Sequence, residues 1–315
     1  MGELENKKPN GIGILLKNDN NNVDIEYIGY FKNGNLEGYG RKYESGFLKY
    51  LGFFKDNEYN KFGIFYNYKQ IQYIGYLNKD KYNDFGKEFK NCKILYQGYF
   101  KEGKHHGKGN FYYDKETICF KGYFNNNLFT NGIYYDPDGI KIYNSEFINE
   151  RPKEGKNLKI YNLNGEIIYE GDFLKGKYNG YGILYRNDYH IKEKVKLYEG
   201  YFLNDNYDGY GILYGEEIYN QSYIKIYEGQ FKEGNFHGLG KKYIYNKFGY
   251  YLYYDGHFNN NKFDGKGILF YQSGLKFYEG NFNNNKIEGK GIRYYKNSSK
   301  KFEGIFNTLN DCEGK

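Results

Sequence analysis

The sequence lacks the features of disulfide-rich and metal-bound proteins. It contains no tryptophan and only three prolines, three cysteines and one methionine in 315 residues. Cys92, Cys119 and Cys312 lie far apart, form no CxxC pair and are odd in number. This pattern argues against a disulfide framework or a zinc site and favours a reducing compartment. We therefore expect no metal and no cofactor.

Long apolar runs and basic clusters are also missing. No apolar stretch approaches the ~18 residues needed to cross a bilayer, and Met1–Asn6 lacks the charged-then-apolar pattern of a signal peptide. The net charge is +7, but the basic residues are scattered. Nucleic-acid and anionic-lipid sites usually show runs of basic residues. We expect a cytoplasmic protein with no nucleic-acid partner and at most weak contact with membrane lipid.

Glycine and aromatic residues are abundant instead. Tyrosine and glycine each occur 43 times and phenylalanine 26 times, and aromatic residues make up 22% of the chain. So many large rings exclude simple disorder. Frequent glycine without a collagen period indicates tight turns or close backbone contacts. Together they predict a β protein with a core of rings.

A short motif recurs along the chain: an aromatic residue, any residue, an anchor glycine, any residue, then phenylalanine. It first appears as Tyr27-Ile28-Gly29-Tyr30-Phe31, and Ser145 replaces the glycine in one degenerate copy. Further glycines often follow at the ninth and eleventh positions after the anchor, and an aromatic residue at the fourteenth. The other anchor glycines are Gly52, Gly75, Gly98, Gly122, Gly171, Gly200, Gly229, Gly256, Gly280 and Gly304.

This spacing predicts one β-hairpin per repeat. Strand side chains alternate, so the ring, the glycine and the phenylalanine share one face. About six polar residues that tolerate positive φ should then form the loop. Regular glycine in strands implies a group packed flat against the backbone, and we expect rings of adjacent repeats there.

Single hairpins are unstable, so the repeats must stack. The predicted fold is all-β: an elongated single-layer array of about thirteen antiparallel β-hairpins with little or no helix. We expect N-terminal repeats over 1–130, degenerate repeats with a bend over 131–160, where Pro137 and Pro152 lie, and C-terminal repeats over 161–315.

The repeats resemble the MORN (membrane occupation and recognition nexus) repeat over essentially the whole chain. The resemblance is carried by Tyr227-Glu228-Gly229-Gln230-Phe231 followed by His237-Gly238-Leu239-Gly240. It implies a non-catalytic scaffold of cytoskeletal, ciliary or membrane-associated assemblies. Other members of the family are modules attached to lipid kinases, junctional membrane proteins or methyltransferases, so a regulatory or targeting subunit of a separate enzyme and a phosphoinositide- or membrane-binding module are the alternatives.

No residue stands out as catalytic. The glycine pairs lack the third glycine and following helix of a dinucleotide-binding loop, and His106 and His237 occupy a repeat position. An acidic residue often precedes the anchor glycine, and we expect these carboxylates to be solvated. They are Glu170, Glu199, Glu228, Asp255, Glu279 and Glu303.

The residues flanking each anchor glycine point away from the ring row. They are mostly polar in the C-terminal half and mostly apolar in the N-terminal half. Exposed apolar patches usually mark interfaces, so this face is predicted to bind a partner protein or a second copy of the chain as a homodimer. The alternative is compositional drift towards isoleucine and tyrosine. The candidate partner-binding residues are Ile28, Tyr30, Leu51, Phe53, Ile74, Tyr76, Tyr99 and Tyr123.

Two longer loops are secondary candidates for contacts. They lie between repeats at 186–196 and 215–225, where the spacing between anchor glycines lengthens.

Overall fold

The computed structural model describes residues 2–19, 22–186, 195–216, 223–246 and 249–309. Over these ranges the chain is all-β and contains no helix, which confirms the predicted fold class. The strands form two antiparallel sheets, and in both sheets the spatial order of the strands is their order in the chain. Each sheet is therefore open.

The first sheet contains fourteen strands. They are β1 (Gly2–Glu5), β2 (Lys8–Asp19), β3 (Asn22–Lys32), β4 (Asn35–Glu44), β5 (Phe47–Lys55), β6 (Glu58–Asn67), β7 (Gln70–Asn78), β8 (Lys81–Lys90), β9 (Lys93–Lys101), β10 (Lys104–Tyr112), β11 (Ile118–Asn125), β12 (Leu128–Tyr135), β13 (Lys141–Ile148) and β14 (Arg151–Pro152).

The second sheet contains twelve strands. They are β15 (Glu154–Tyr161), β16 (Ile167–Leu174), β17 (Lys177–Arg186), β18 (Val195–Leu203), β19 (Asn206–Glu216), β20 (Tyr223–Lys232), β21 (Asn235–Asn246), β22 (Gly249–Asn259), β23 (Lys262–Phe270), β24 (Lys276–Asn283), β25 (Lys286–Tyr294) and β26 (Lys300–Leu309).

The hairpin loops are shorter than the sequence predicted. β3 and β4 are joined by Asn33 and Gly34, both at positive φ, and β22 and β23 by Asn260 and Asn261 in the same conformation. Two-residue turns of this kind match the right-handed twist of the flanking strands, and asparagine and glycine accept the backbone. Most of the polar residues assigned to six-residue loops therefore belong to the strands.

Many of the two-residue turns are also bonded to the preceding hairpin. The Asn57 backbone N–H donates to the Leu36 carbonyl at 3.1 Å, and the Asn57 side-chain oxygen accepts from the Leu36 N–H at 2.7 Å. The same paired contact joins Asn127 to His105 and Asn261 to Phe236. These bonds couple neighbouring repeats, as a repeat array requires.

The glycines form a continuous row across each sheet, which we call the glycine ladder. Gly40 of β4 lies opposite both Gly29 of β3 and Gly52 of β5. In the first sheet the ladder runs through Gly2, Gly13, Gly29, Gly40, Gly52, Gly63, Gly75, Gly86, Gly98, Gly109, Gly122 and Gly132. In the second it runs through Gly171, Gly182, Gly200, Gly211, Gly229, Gly240, Gly256, Gly267, Gly280, Gly291 and Gly304.

A tyrosine ring explains the ladder. A Cβ atom added to Gly29 or Gly40 would overlap the Tyr27 ring, which lies over both glycines. The Tyr27 hydroxyl donates to the Tyr30 carbonyl at 3.3 Å, which holds the ring flat. The expectation that rings of adjacent repeats fill this space was wrong. The ring belongs to the same repeat, because it lies two residues before the glycine on the same face.

The remaining rings link one repeat to the next. The Tyr27 ring meets Phe31 of its own repeat edge-on at 5.2 Å and Phe54 of the next repeat at 5.0 Å. Further along, Tyr82 stacks on Tyr73 with ring centroids 3.7 Å apart. Aromatic pairs add about 0.5–1.5 kcal/mol each beyond their burial, so this ring row is the core of the array.

Contacts divide the chain into two compact units. The N-terminal unit comprises Met1–Lys153 and Tyr161–Glu166, and the C-terminal unit comprises Glu154–Ile160 and Ile167–Lys315. Pro152 is the last residue of β14, where the first sheet ends. Proline has no N–H to continue a ladder, which suits it to a sheet edge. The bend over 131–160 stays a prediction.

Candidate interaction surface

The side chains next to the glycine ladder lie on the face opposite the ring core, which we call the back face. In the N-terminal unit they form two rows. One row consists of aromatic residues. On the first strand of a hairpin each follows the anchor glycine, and on the second strand each precedes the ladder glycine. We call it the aromatic stripe: Tyr30, Tyr39, Phe53, Phe62, Tyr76, Phe85 and Tyr99.

The stripe is exposed and regularly paired. Its side chains are 38% to 54% exposed. Tyr39 and Phe53 meet edge-on at 5.6 Å. The same contact recurs one and two repeats later between Phe62 and Tyr76 and between Phe85 and Tyr99, both at 5.7 Å. Each pair joins the second strand of one hairpin to the first strand of the next.

A second row, mainly aliphatic, runs beside the stripe. Ile28 lies opposite Ile14, and Ile64 lies opposite both Leu51 and Ile74. These side chains are half-buried, apart from the slightly more exposed Ile14. Arg41 and Lys87 interrupt the row at two strands. The two rows together make the back face of the N-terminal unit largely apolar.

The structure places most of the sequence-predicted residues on this face. Tyr30, Phe53, Tyr76 and Tyr99 lie in the stripe, while Ile28, Leu51 and Ile74 lie in the aliphatic row. Tyr123 is 48% exposed but is separated from the stripe by Lys108, whose ammonium lies 5.6 Å from its ring. That these residues bind a partner stays a prediction.

Sequence reasoning missed three of the seven residues of the stripe. Tyr39, Phe62 and Phe85 lie on second strands, one residue before the ladder glycine. The sequence did contain a pattern that could have identified them, because each lies ten positions after an anchor glycine. It becomes visible only when the two strands of neighbouring hairpins are aligned.

In the C-terminal unit the same face carries ion pairs. Glu199 accepts from the Lys196 ammonium at 2.6 Å and from the Tyr181 hydroxyl at 2.8 Å. Glu228 likewise accepts from Lys225 at 2.6 Å and from Tyr210 at 2.7 Å. Pairs of the same spacing join Lys276 to Glu279 and Lys300 to Glu303. These carboxylates keep contact with solvent, since Glu279 and Glu303 are 43% and 60% exposed, but each is also paired with a lysine, which the sequence did not predict.

A bulge brings each lysine beside its glutamate. Residues three apart in a regular strand point to opposite faces. Here Leu184 pairs with Tyr198 but Tyr185 pairs with Lys196, so one residue of β18 is extra, and a bulge of this kind re-aims the following side chains. Hydrogen bonding to the lysine ammonium lowers the pKa of the Glu199 and Glu228 carboxyls.

The N-terminal unit replaces both partners of this pair together. The lysine and glutamate positions carry Ile25 and Ile28, then Leu48 and Leu51, then Ile71 and Ile74, and the same bulge is present, for example between Lys42 and Tyr43 of β4. In the C-terminal unit the two positions also differ separately, since Ile167 and Leu252 occupy the lysine position before Glu170 and Asp255. Both positions are aliphatic together in these three successive N-terminal repeats.

The back face of the C-terminal unit also contains a groove. It has a volume of about 820 Å³ and its floor is the ladder from Gly256 to Gly304. Its walls include Asp255, Lys266 and Glu279 as well as Ile268. Leu239, Ile292 and Ile305 also line it, so apolar surface on the back face is not confined to the N-terminal unit.

The remaining candidates form no site. His105 takes a ring position: it stacks on Tyr96 at 3.7 Å, and its Nε2 lies 2.7 Å from a Glu88 carboxylate oxygen. His106 and His237 have buried Nδ1 atoms with no partner among the described residues. Over the same ranges no group of three or more His, Cys, Asp or Glu side chains could hold a metal. Cys312 and most of the loops at 186–196 and 215–225 lie outside the described residues.

Seven segments of the chain match the family model of the MORN repeat, namely 27–46, 96–117, 169–191, 198–216, 227–246, 254–276 and 278–300. The chain is a MORN-repeat protein. No curated protein matches its sequence at a significant level. No helix in the part of the chain that the structure describes is long and apolar enough to cross a membrane.

The repeats that depart from the MORN model are informative. Residues 47–95 lie between two matched segments, and they fold into hairpins with the same ladder. This stretch holds Phe53, Phe62, Tyr76 and Phe85 at the centre of the stripe. The centre of the stripe therefore lies in repeats that the MORN model does not match, although residues 118–168, which carry none of the stripe, are unmatched as well.

Proposed function

We propose that this MORN-repeat chain is a non-catalytic interaction scaffold whose N-terminal unit binds a partner protein through its back face. The aromatic stripe carries the proposal. Its rings are 38% to 54% exposed although tyrosine and phenylalanine usually bury most of their surface. Large contiguous apolar patches on soluble proteins commonly mark binding surfaces.

The size of the surface supports a specific complex. Aromatic side chains bury about 150–250 Å² each, so seven half-exposed rings leave on the order of 600 Å² uncovered. The aliphatic row adds to this area. A standard interface buries about 800 Å² on each partner. Tyrosine, phenylalanine and arginine, which are enriched in interface cores, are the residue types found here.

By family resemblance we extend the proposal to a cytoplasmic scaffold of cytoskeletal, ciliary or membrane-associated assemblies. A regulatory or targeting subunit of a separate enzyme would use the same surface. Direct lipid binding is less well supported, because Arg41 and Lys87 are isolated cations and lipid-binding segments carry clusters of four to eight.

Site-specific photo-crosslinking tests the proposal. Tyr76→p-benzoylphenylalanine places a reactive group in the middle of the stripe, and Tyr201→p-benzoylphenylalanine places it on the back face of the C-terminal unit as a control. We expect Tyr76 to cross-link to a defined protein in cells of the source organism, identified by mass spectrometry. Cross-links to lipid alone, or no excess over Tyr201, would contradict the proposal. A cross-link to a second copy would identify a homodimer.

A further inference from the structure

The aromatic stripe has a period that restricts its occupant. Ring pairs occur once per repeat, at Tyr39 with Phe53, Phe62 with Tyr76 and Phe85 with Tyr99. Within each hairpin a register shift, such as that between Gly29 and Tyr30, separates the neighbouring rings. Among the described residues no ring contact joins Tyr30 to Tyr39. The stripe is therefore a series of ridges and gaps repeated every two strands, or about 9.6 Å.

This period distinguishes among extended and helical ligands. A polyproline II helix presents the same side every three residues, or about 9.3 Å. An α-helix presents one face every seven residues, or about 10.5 Å, which drifts out of register by about 3 Å over three repeats. In a β-strand, two residues that are three apart, and so about one ridge apart, point to opposite faces and cannot both contact the stripe. Polyproline II is the conformation that keeps its contacts aligned with successive ridges.

The hydrogen-bonding groups of the stripe also favour a ligand in the polyproline II conformation. The backbone N–H and C=O groups beneath the stripe are occupied by the sheet, so this face cannot add a ligand strand by backbone pairing. The hydroxyls of Tyr30, Tyr39, Tyr76 and Tyr99 are exposed donors without a partner in the described parts of the chain. Polyproline II has no internal hydrogen bonds, so its carbonyls are free to accept them.

The charges near the stripe favour an acidic ligand. Arg41 and Lys87 lie in the adjacent row, and the Lys61 ammonium lies 5.8 Å from the Phe53 ring centroid. Within the described ranges none of the three has a carboxylate at salt-bridge distance. Asp84 is the acid at the position equivalent to Lys61, and Glu37 lies opposite Tyr30, where it accepts from the Asp56 N–H. The three cations therefore outnumber two acids.

From these observations we infer that the aromatic stripe binds a proline-rich, acidic segment of a partner protein in the polyproline II conformation. The inference rests on the proposed function and names the class of ligand. The stripe crosses seven strands, β3 to β9, a distance of about 29 Å. A polyproline II segment of about nine residues would span it.

Peptide binding to the full chain tests the inference. The probe is a fluorescein-labelled peptide of four Glu-Pro-Pro units, measured by fluorescence anisotropy. Four Glu-Ala-Ala units keep its length and charge without the polyproline II preference, and four Lys-Pro-Pro units reverse its charge. We expect each control peptide to bind at least about tenfold more weakly than the probe.

Paired variants assign the binding to the stripe. Phe62→Ser with Tyr76→Ser should reduce affinity for the probe at least about tenfold. Tyr201→Ser with Tyr210→Ser removes equally exposed rings from the C-terminal unit, which has a ring pair between Tyr181 and Tyr201, and should leave binding unchanged. Unchanged circular dichroism melting curves would show that both variants fold.

The outcomes separate this inference from the function on which it rests. Equal affinity for the Glu-Pro-Pro and Glu-Ala-Ala peptides, or equal losses in the two variants, would overturn the inference. If the Tyr76 cross-link to a partner persists in that case, the scaffold proposal stands and only the ligand class is wrong. If the cross-link is also absent, both are wrong.

Discussion

The two units share a core and differ on the opposite face. In both, tyrosines such as Tyr73 and Tyr198 lie over a glycine ladder and donate to the carbonyl three residues later. In the C-terminal unit Lys225 and Glu228 pair on the back face, whereas Ile71 and Ile74 occupy the equivalent positions in the N-terminal unit. The ring face therefore specifies the fold, and the back face can change its chemistry without altering it.

The largest expected effect tests the shared core. Gly63→Ala and Gly211→Ala each place a methyl group against the hydroxyl of a buried ring, Tyr50 or Tyr198. We expect each to lower the free energy of unfolding by about 3 kcal/mol or more, because neither the ring nor the opposite strand can move away. Urea denaturation followed by circular dichroism measures it.

Gly103→Asn is the matched control for this prediction. Gly103 lies in a turn at φ 81° with open space around it, and asparagine tolerates that conformation. Its effect should stay small. A loss in only one of the two units, or none in either, would mean that the ladder is not the common basis of the fold.

An intermediate effect should follow from exchanging the back-face pairs. Ile71→Lys with Ile74→Glu introduces the ionic pair into the N-terminal unit, and Lys225→Ile with Glu228→Ile does the reverse. Since these side chains lie outside the ring core, we expect stability to change by about 1 kcal/mol or less. Binding of the Glu-Pro-Pro peptide should weaken severalfold in the first exchange and stay unchanged in the second.

Two results would contradict this prediction. If the first variant unfolds, the back face contributes to the fold itself. If both variants alter peptide binding equally, binding does not depend on the back face of the N-terminal unit.

The smallest expected effect is the loss of stability of the C-terminal unit at acidic pH. The pKa values of Glu199 and Glu228 are lowered by their lysine partners, so their stabilisation is present above the unfolded value of about 4.3 and is lost as the pH falls through the lower folded value. These carboxylates are partly exposed, with side chains 23% and 25% accessible, and the loss should be well under 1 kcal/mol for each pair.

Hydrogen exchange measured by mass spectrometry can resolve this difference. After correction for the intrinsic rate, peptides covering 195–216 and 223–246 should lose protection on going from neutral to acidic pH more than peptides covering 47–95. Glu228→Gln should remove the pH dependence locally. Equal loss in all regions would show that the ion pairs do not distinguish the two units.

Much of the fold was predictable from spacing. The alternation of side chains along a strand places Tyr27, Gly29 and Phe31 on one face, and the recurrence of that motif predicts hairpins that stack. The stacking of Tyr82 on Tyr73 was missed, because the residue seven positions after the anchor glycine varies among tyrosine, phenylalanine, histidine, leucine and isoleucine. Its role depends on the two-residue turn that brings the strands together.

The candidate surface was predictable in part: four of the seven residues of the stripe were identified from the sequence. Tyr30 and Tyr76 follow anchor glycines and were identified, whereas Tyr39 and Phe85 were not. Their pairing partners lie in the neighbouring hairpin, so contact depends on the register between hairpins. The Lys196–Glu199 pair was equally hidden, because a spacing of three in a strand predicts opposite faces until the bulge is known.

The repeat, the hairpin and the division into a ring face and a back face follow from the order of residues alone, because they depend on short-range alternation and on glycine at fixed offsets. Three further features appear only in the folded chain: the rings cover glycines of their own repeat, bulges align lysine with glutamate, and rings of successive hairpins pair along the stripe. Those features depend on register between strands, which is a property of hydrogen-bonded pairs rather than of any single segment.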